Sequence, residues 1–132
     1  MLSTSFHADI LKNGSWQERS LIDQLGNIGA EAGRAIQAKT QNNQERLTGA
    51  WYRMDELFVA TIANKNLRKT RRLREVLRAR EITYSYLEGT NEYNETNSSL
   101  ERYWMEWWIL ANIERRTKRN TKIAGEVEAE LV

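Results

Sequence analysis

The chain has no cysteine, no proline and only one histidine among its 132 residues. Without cysteine there are no disulfides, no thiolate metal sites and no thiol nucleophile. Without proline nothing interrupts a helix or stiffens a loop, so the chain is free to be helical almost throughout. Val and Ile are sparse while Leu, Ala, Glu, Arg, Gln and Asn are plentiful, which favours helix over strand. No apolar run approaches the ~20 residues of a membrane-spanning helix. Met1 to Lys12 lacks the basic start and apolar stretch of a secretory leader. The expectation is therefore an all-α cytoplasmic protein with no membrane association.

Catalytic chemistry is equally short of material. Metal sites in helical bundles use paired Glu-x-x-His units on facing helices, and the single histidine, His7, lies upstream of the first predicted helix. Glu31, Asp55, Glu56 and Glu81 are the acids best placed to face inward. An all-carboxylate Mg²⁺ site is one reading of them, but pairing with Arg34, Arg53 or Arg80 is the commoner fate of mid-helix acids. The serines sit at caps and in loops without a neighbouring histidine. The glycines at 26, 29 and 33 follow no strand and lack the Lys-Ser/Thr ending of a phosphate loop. No catalytic residue, metal or cofactor is assigned, and a non-enzyme is expected.

What the sequence does hold is four amphipathic segments. The first is predicted from about Trp16 to Lys39, with Ser15 and Glu18 as a capping box. Leu21, Leu25, Ile28, Ala32 and Ala35 form one face. Gly26, Gly29 and Gly33, with Ala30 among them, are odd inside a helix because each glycine costs ~1 kcal/mol relative to alanine, a cost most simply explained by close approach of a neighbouring backbone or ring; a break near Gly26 is the less favoured reading. Asn42 with Glu45 caps a second helix whose stripe is Leu47, Ala50, Trp51, Met54, Leu57, Phe58, Thr61 and Ile62. A third spans roughly Leu67 to Glu88 and stops at Gly89. Leu73, Val76, Leu77, Tyr84 and Leu87 make its apolar line, with Arg80 paired beside it. After the polar loop Gly89–Ser99, Ser98 and Glu101 cap a fourth helix predicted from Ser99 to Lys118. Short connections make the whole an antiparallel up-down-up-down four-helix bundle. It is one domain, 1–132, with residues 1–14 as an N-terminal extension and 119–132 as an acidic tail expected to fray.

Charge is distributed unevenly over this plan. Lys65, Arg68, Lys69, Arg71, Arg72, Arg74, Arg78 and Arg80 are interrupted by one acid, Glu75. A second cluster holds Arg115, Arg116, Lys118, Arg119 and Lys122, while the remainder of the chain is acidic and the net charge is only +2. Arg71, Arg74 and Arg78 make one helical row and Arg68 and Arg72 another beside it. Such a single-sign surface attracts polyanions, and the planar guanidinium suits phosphate oxygens. The candidate nucleic-acid-binding residues are Arg68, Lys69, Arg71, Arg72, Arg74 and Arg78, with Arg115, Arg116 and Arg119 as a second patch. The alternative is a solvated face or a dock for an acidic protein.

The fourth segment carries Tyr103, Trp104, Trp107 and Trp108. Aromatics near basic residues can stack on single-stranded bases, but helical spacing argues for packing. Leu100, Tyr103, Trp104, Trp107 and Ala111 are assigned to the core. Met105, Trp108 and Ile109 widen the apolar surface beyond what a monomer needs, and are assigned to a homo-oligomer interface.

The run Asn27-Ile28-Gly29-Ala30-Glu31-Ala32-Gly33-Arg34, followed by Met54-Asp55-Glu56-Leu57, resembles the bacterial four-helix-bundle family of ribosomal-RNA intervening-sequence proteins. That family also includes the accessory variability proteins (Avd) of diversity-generating retroelements. The likeness lies in short motifs within the first half of the bundle. It implies a homo-oligomer, pentameric in Avd-type proteins, with a basic surface for RNA or DNA and a reverse transcriptase as partner. The acidic tail and low net charge depart from that pattern.

Overall fold

A computed structural model describes Lys12 and residues 14–131, which leaves His7 and most of the N-terminal extension outside the described residues. The described residues form six helices and no strand: α1 Ser15–Glu18, α2 Leu21–Thr40, α3 Gln44–Ile62, α4 Lys65–Arg68, α5 Arg72–Glu88 and α6 Asn97–Leu131. The all-helical expectation therefore holds. Two of the predicted helices are broken, however, and the last is longer than expected.

The first break lies at Arg19-Ser20, where both residues are extended, and not at the glycines. Ser20, not Ser15, caps the long helix, its hydroxyl accepting from the Asp23 amide at 3.0 Å. Gly14, in the left-handed region, precedes α1 and supplies no side-chain cap. The bend lets Trp16 tuck under the core at 1 % exposure, where its indole N–H donates to Thr61 Oγ1 at 3.1 Å. Buried Gln24 bridges the break by donating to the Trp16 carbonyl at 2.8 Å.

The second break, Lys69–Arg71, divides the predicted basic helix. Asn64 caps α4 and Thr70 closes it, its hydroxyl donating to the Leu67 carbonyl at 2.8 Å and accepting from the Arg72 amide at 3.2 Å. Side-chain oxygens that satisfy the backbone locally compete with helix continuation. Caps elsewhere shift by a residue or two. Asn43 caps α3 in place of Asn42, which turns the chain at φ 53°. At α6, Thr96 and Ser99 exchange side-chain-to-amide bonds at 3.0 and 2.9 Å, in place of the Ser98–Glu101 box. Gly89 ends α5 in the left-handed conformation, as its sequence position suggested.

α2 is the central element, packed along both α3 and α6. Its small residues permit this closeness. A Cβ on Gly26 would stand 2.5 Å from the Ala111 Cβ, and one on Gly29 would stand 2.9 Å from the Trp104 carbonyl oxygen. The glycines thus admit the backbone of α6, the compensation that their helical positions called for. Across the core Trp104 is 1 % exposed, donates to Thr83 Oγ1 at 3.0 Å and meets Phe58 edge-on at 5.8 Å. Leu100, Trp104 and Ala111 are buried and Tyr103 and Trp107 half-buried, as assigned. Leu77 is not on the buried line of α5 and is exposed.

Past Lys118, where the sequence pattern ended it, α6 continues as an unbroken helix to Leu131. Residues 115–131 are exposed on every side. The segment expected to fray is a helical overhang. Its helix is nucleated by the packed half, so each further residue adds a hydrogen bond without a new nucleation cost.

Candidate nucleic-acid interface

The cations fall into two populations. In one, arginines at the margin of the core grip poorly exposed acids. Glu31, 7 % exposed, holds Arg34 at 2.6 Å and Arg53 at 2.7 Å. Asp55 accepts from Arg80 at 3.2 Å and from the Tyr84 hydroxyl at 2.6 Å. Burial, reinforced by that carboxylate, pushes the Tyr84 hydroxyl well above its ordinary pKa. Asp23 takes Arg115 Nε at 2.7 Å and Arg19 at 3.3 Å. These pairings account for Glu31, Asp55 and Arg80 as the sequence suggested. Among the described residues no three potential metal ligands converge.

The second population consists of Arg68, Lys69, Arg71, Arg72 and Arg74, all exposed and none in an ion pair among the described residues. Arg78 is exposed too, its guanidinium 5.8 Å above the Tyr93 ring. Tyr93 itself hydrogen-bonds Glu81, which raises its pKa. The break at Lys69–Arg71 puts Arg68 on α4, where its Nε donates to the Ile62 carbonyl at 3.2 Å, so Arg68 and Arg72 do not form a row on one helix. Arg71, Arg74 and Arg78 do remain together along α5, Arg71 standing as its N-cap.

That location is electrostatically costly. A helix N-terminus carries about half a positive charge and favours acids. Here it has Arg71, Arg72 and Arg74, relieved only by Glu75; the N-cap residue Arg71 makes no side-chain cap, and only the Arg72 amide is taken up, by the Thr70 hydroxyl. The same surface therefore sets guanidinium groups beside the N–H donors of a helix first turn, both suited to anionic oxygen.

The second predicted patch is only partly available. Arg115 is held by Asp23, and Lys118 lies 3.5 Å from Glu114, which in turn accepts from the Ser20 hydroxyl. Arg116 and Arg119 are exposed with no ion pair among the described residues. Both clusters lie at one end of the molecule. Ser20 and Asp23 tie the start of α2 to α6 at Glu114 and Arg115, while a cleft of about 370 Å³ lined by Ser20, Leu21, Leu67 and Arg72 joins the start of α2 to α4 and α5. No sequence pattern indicated this convergence, because it depends on where the helix ends meet.

Met105, Trp108 and Ile109, the assigned interface residues, are each about half exposed, and Ile113, Ile123, Val127 and Leu131 extend that surface along α6. No helix among the described residues is long and apolar enough to cross a membrane. Compared with protein-family models, with curated proteins and with solved structures, the chain matches none.

Proposed function

We propose that the protein is a nucleic-acid-binding accessory factor that works as a homo-oligomer and contacts the RNA or DNA backbone through the cations of α4 and α5. Its role is binding, not catalysis, and its four long helices form an antiparallel up-down-up-down bundle that presents this surface at one end. The observation that carries the reading is that Arg71, Arg72 and Arg74, at a helix N-terminus, form no ion pair among the described residues, while the acids of the core margin are taken up by other arginines. Positive charge held where it opposes the helix dipole is stabilised by an anionic ligand. Arg68, Lys69 and Arg78 extend the contact, and Arg116 and Arg119 supply a second one; Arg115 acts chiefly through its hold on Asp23. The resemblance to Avd-type proteins supports a reverse transcriptase as the protein partner.

The test is fluorescence anisotropy with labelled structured RNA and duplex DNA over a salt series. Replacing Arg71, Arg74 and Arg78 by Gln should weaken binding at least tenfold and reduce the salt slope by about 2 to 3, near 0.9 per lost phosphate contact. The helical circular-dichroism spectrum should be unchanged. Unaltered affinity in the triple variant would overturn the site. Binding confined to low salt in the parent protein would instead favour an acidic protein partner for the same cations.

A further inference from the structure

α6 has two apolar faces, and the fold uses only one of them. Leu100, Trp104 and Ala111 are buried against the core. Met105, Ile109, Ile113, Ile123, Val127 and Leu131 are exposed, between 45 % and 82 %. At 3.6 residues per turn these six fall within an arc of about 80°, directly opposite the core face. Their spacing is symmetrical: Met105, Ile109 and Ile113 precede Lys118 by the same intervals at which Leu131, Val127 and Ile123 follow it.

We propose that two copies of the chain pair antiparallel through this outer face of α6, about a two-fold axis at the level of Lys118. A stripe whose apolar spacing is the same in both directions matches its own reverse. An antiparallel second copy therefore sets Met105 against Leu131, Ile109 against Val127 and Ile113 against Ile123, each contact occurring twice, as an isologous interface requires. The polar residues on the same face, Arg116 and Asn120, also fall opposite one another, guanidinium donor against amide acceptor. Parallel pairing would instead lay Glu126, Glu128 and Glu130 alongside themselves.

The geometry leaves room for it. The stripe faces away from the core, so the two bodies lie on opposite sides of the helix pair. The overhang of each copy, exposed on every side, covers the packed half of the other. The overlap runs from Met105 to Leu131, about 40 Å at 1.5 Å per residue. Two-fold pairing takes Arg116 of both copies into the seam and leaves Arg119 of both copies at the middle of the assembly as the cation of that patch. The inference rests on the homo-oligomer reading and is independent of which ligand the basic end takes.

Sedimentation velocity on the full chain at high salt should show a concentration-dependent dimer. Ile113→Lys with Ile123→Lys should weaken self-association by roughly a hundredfold, because the seam would then bury charge. The circular-dichroism spectrum and thermal midpoint of the dilute protein should not change. The absence of native cysteine allows a cross-linking test. Mixed under mild oxidation, the Ile109→Cys and Val127→Cys proteins should form a heterodimeric disulfide, and neither should cross-link efficiently alone. A monomer at all concentrations would overturn this inference together with the homo-oligomer reading. A pentamer, or like-with-like cross-linking, would overturn only the antiparallel pair.

Discussion

The two halves of α6 are made by one continuous helix but obey different physics. From Leu100 to Ala111 the helix is fixed by contact: two glycines of α2 admit its backbone, and a tryptophan from it fills the core. Arg115 makes the last ion pair to α2 among the described residues, and from Arg116 to Leu131 every residue is exposed, the helix resting there on its own hydrogen bonds and side-chain neighbours. The first half spends its side chains on stability. The second carries charge and apolar surface that the monomer does not need, and residues of that kind identify an interaction surface better than buried ones do.

The largest separation of the two should come from paired tryptophan substitutions. Trp104→Ala removes a buried ring, opens a cavity beside Phe58 and strands the Thr83 hydroxyl, so a loss of about 3–5 kcal/mol is expected in urea unfolding. Trp108→Ala, four residues on and 45 % exposed, should change monomer stability by no more than about 0.5 kcal/mol. Comparable losses for both would mean that the outer face is part of the core.

Gly26→Ala and Gly29→Ala probe the same packing from the α2 side. Alanine gains about 1 kcal/mol of helix propensity, but each new Cβ collides with α6, at Ala111 and at the Trp104 carbonyl respectively. A carbonyl oxygen cannot rotate away as a flexible side chain can, so α6 must shift. A net destabilisation of about 1–3 kcal/mol is expected for each, with the far-ultraviolet spectrum retained. A stabilised variant would show that the two helices do not pack this closely.

How much of this was legible in the sequence follows from what sets each feature. Stripes set by the 3.6-residue period, such as Ala50, Met54, Leu57 and Phe58, could be assigned by spacing alone. So could the close approach at Gly26 and Gly29, although the same expectation fails at Gly33, where a Cβ would meet no atom within 4 Å. The breaks at Ser20 and Thr70 were not legible. There the apolar pattern runs on smoothly while a hydroxyl captures the backbone, and which outcome wins depends on burying Trp16 and Leu67. The cations at the start of α5 were identified by composition, but that Arg71, Arg72 and Arg74 form no ion pair among the described residues depends on where Glu31, Asp23 and Asp55 point. The length of α6 was not legible, because the stripe of the overhang is interrupted by Arg116 and Asn120, which hides a repeat visible only over several turns.

The smallest and most discriminating effect concerns the two glycines that touch nothing. A Cβ on Gly33 of α2 or on Gly125 of the overhang would meet no atom within 4 Å. Both sit inside helices at ordinary helical dihedrals, so alanine should be favoured at each by up to about 1 kcal/mol through helix propensity. The consequences should nevertheless differ. Gly33 lies in a helix that unfolds with the core, so Gly33→Ala should raise the global urea midpoint by the full amount. Gly125 lies beyond the last tertiary contact among the described residues, and in dilute, monomeric protein Gly125→Ala should leave the midpoint unchanged. It should still increase helical ellipticity and slow amide exchange around Lys122–Glu128, since local opening there is uncoupled from global unfolding. At concentrations where two copies pair, the overhang becomes part of an interface, and the same substitution should begin to raise the midpoint. A Gly125 effect that is global even at high dilution would mean that the overhang already folds against its own body.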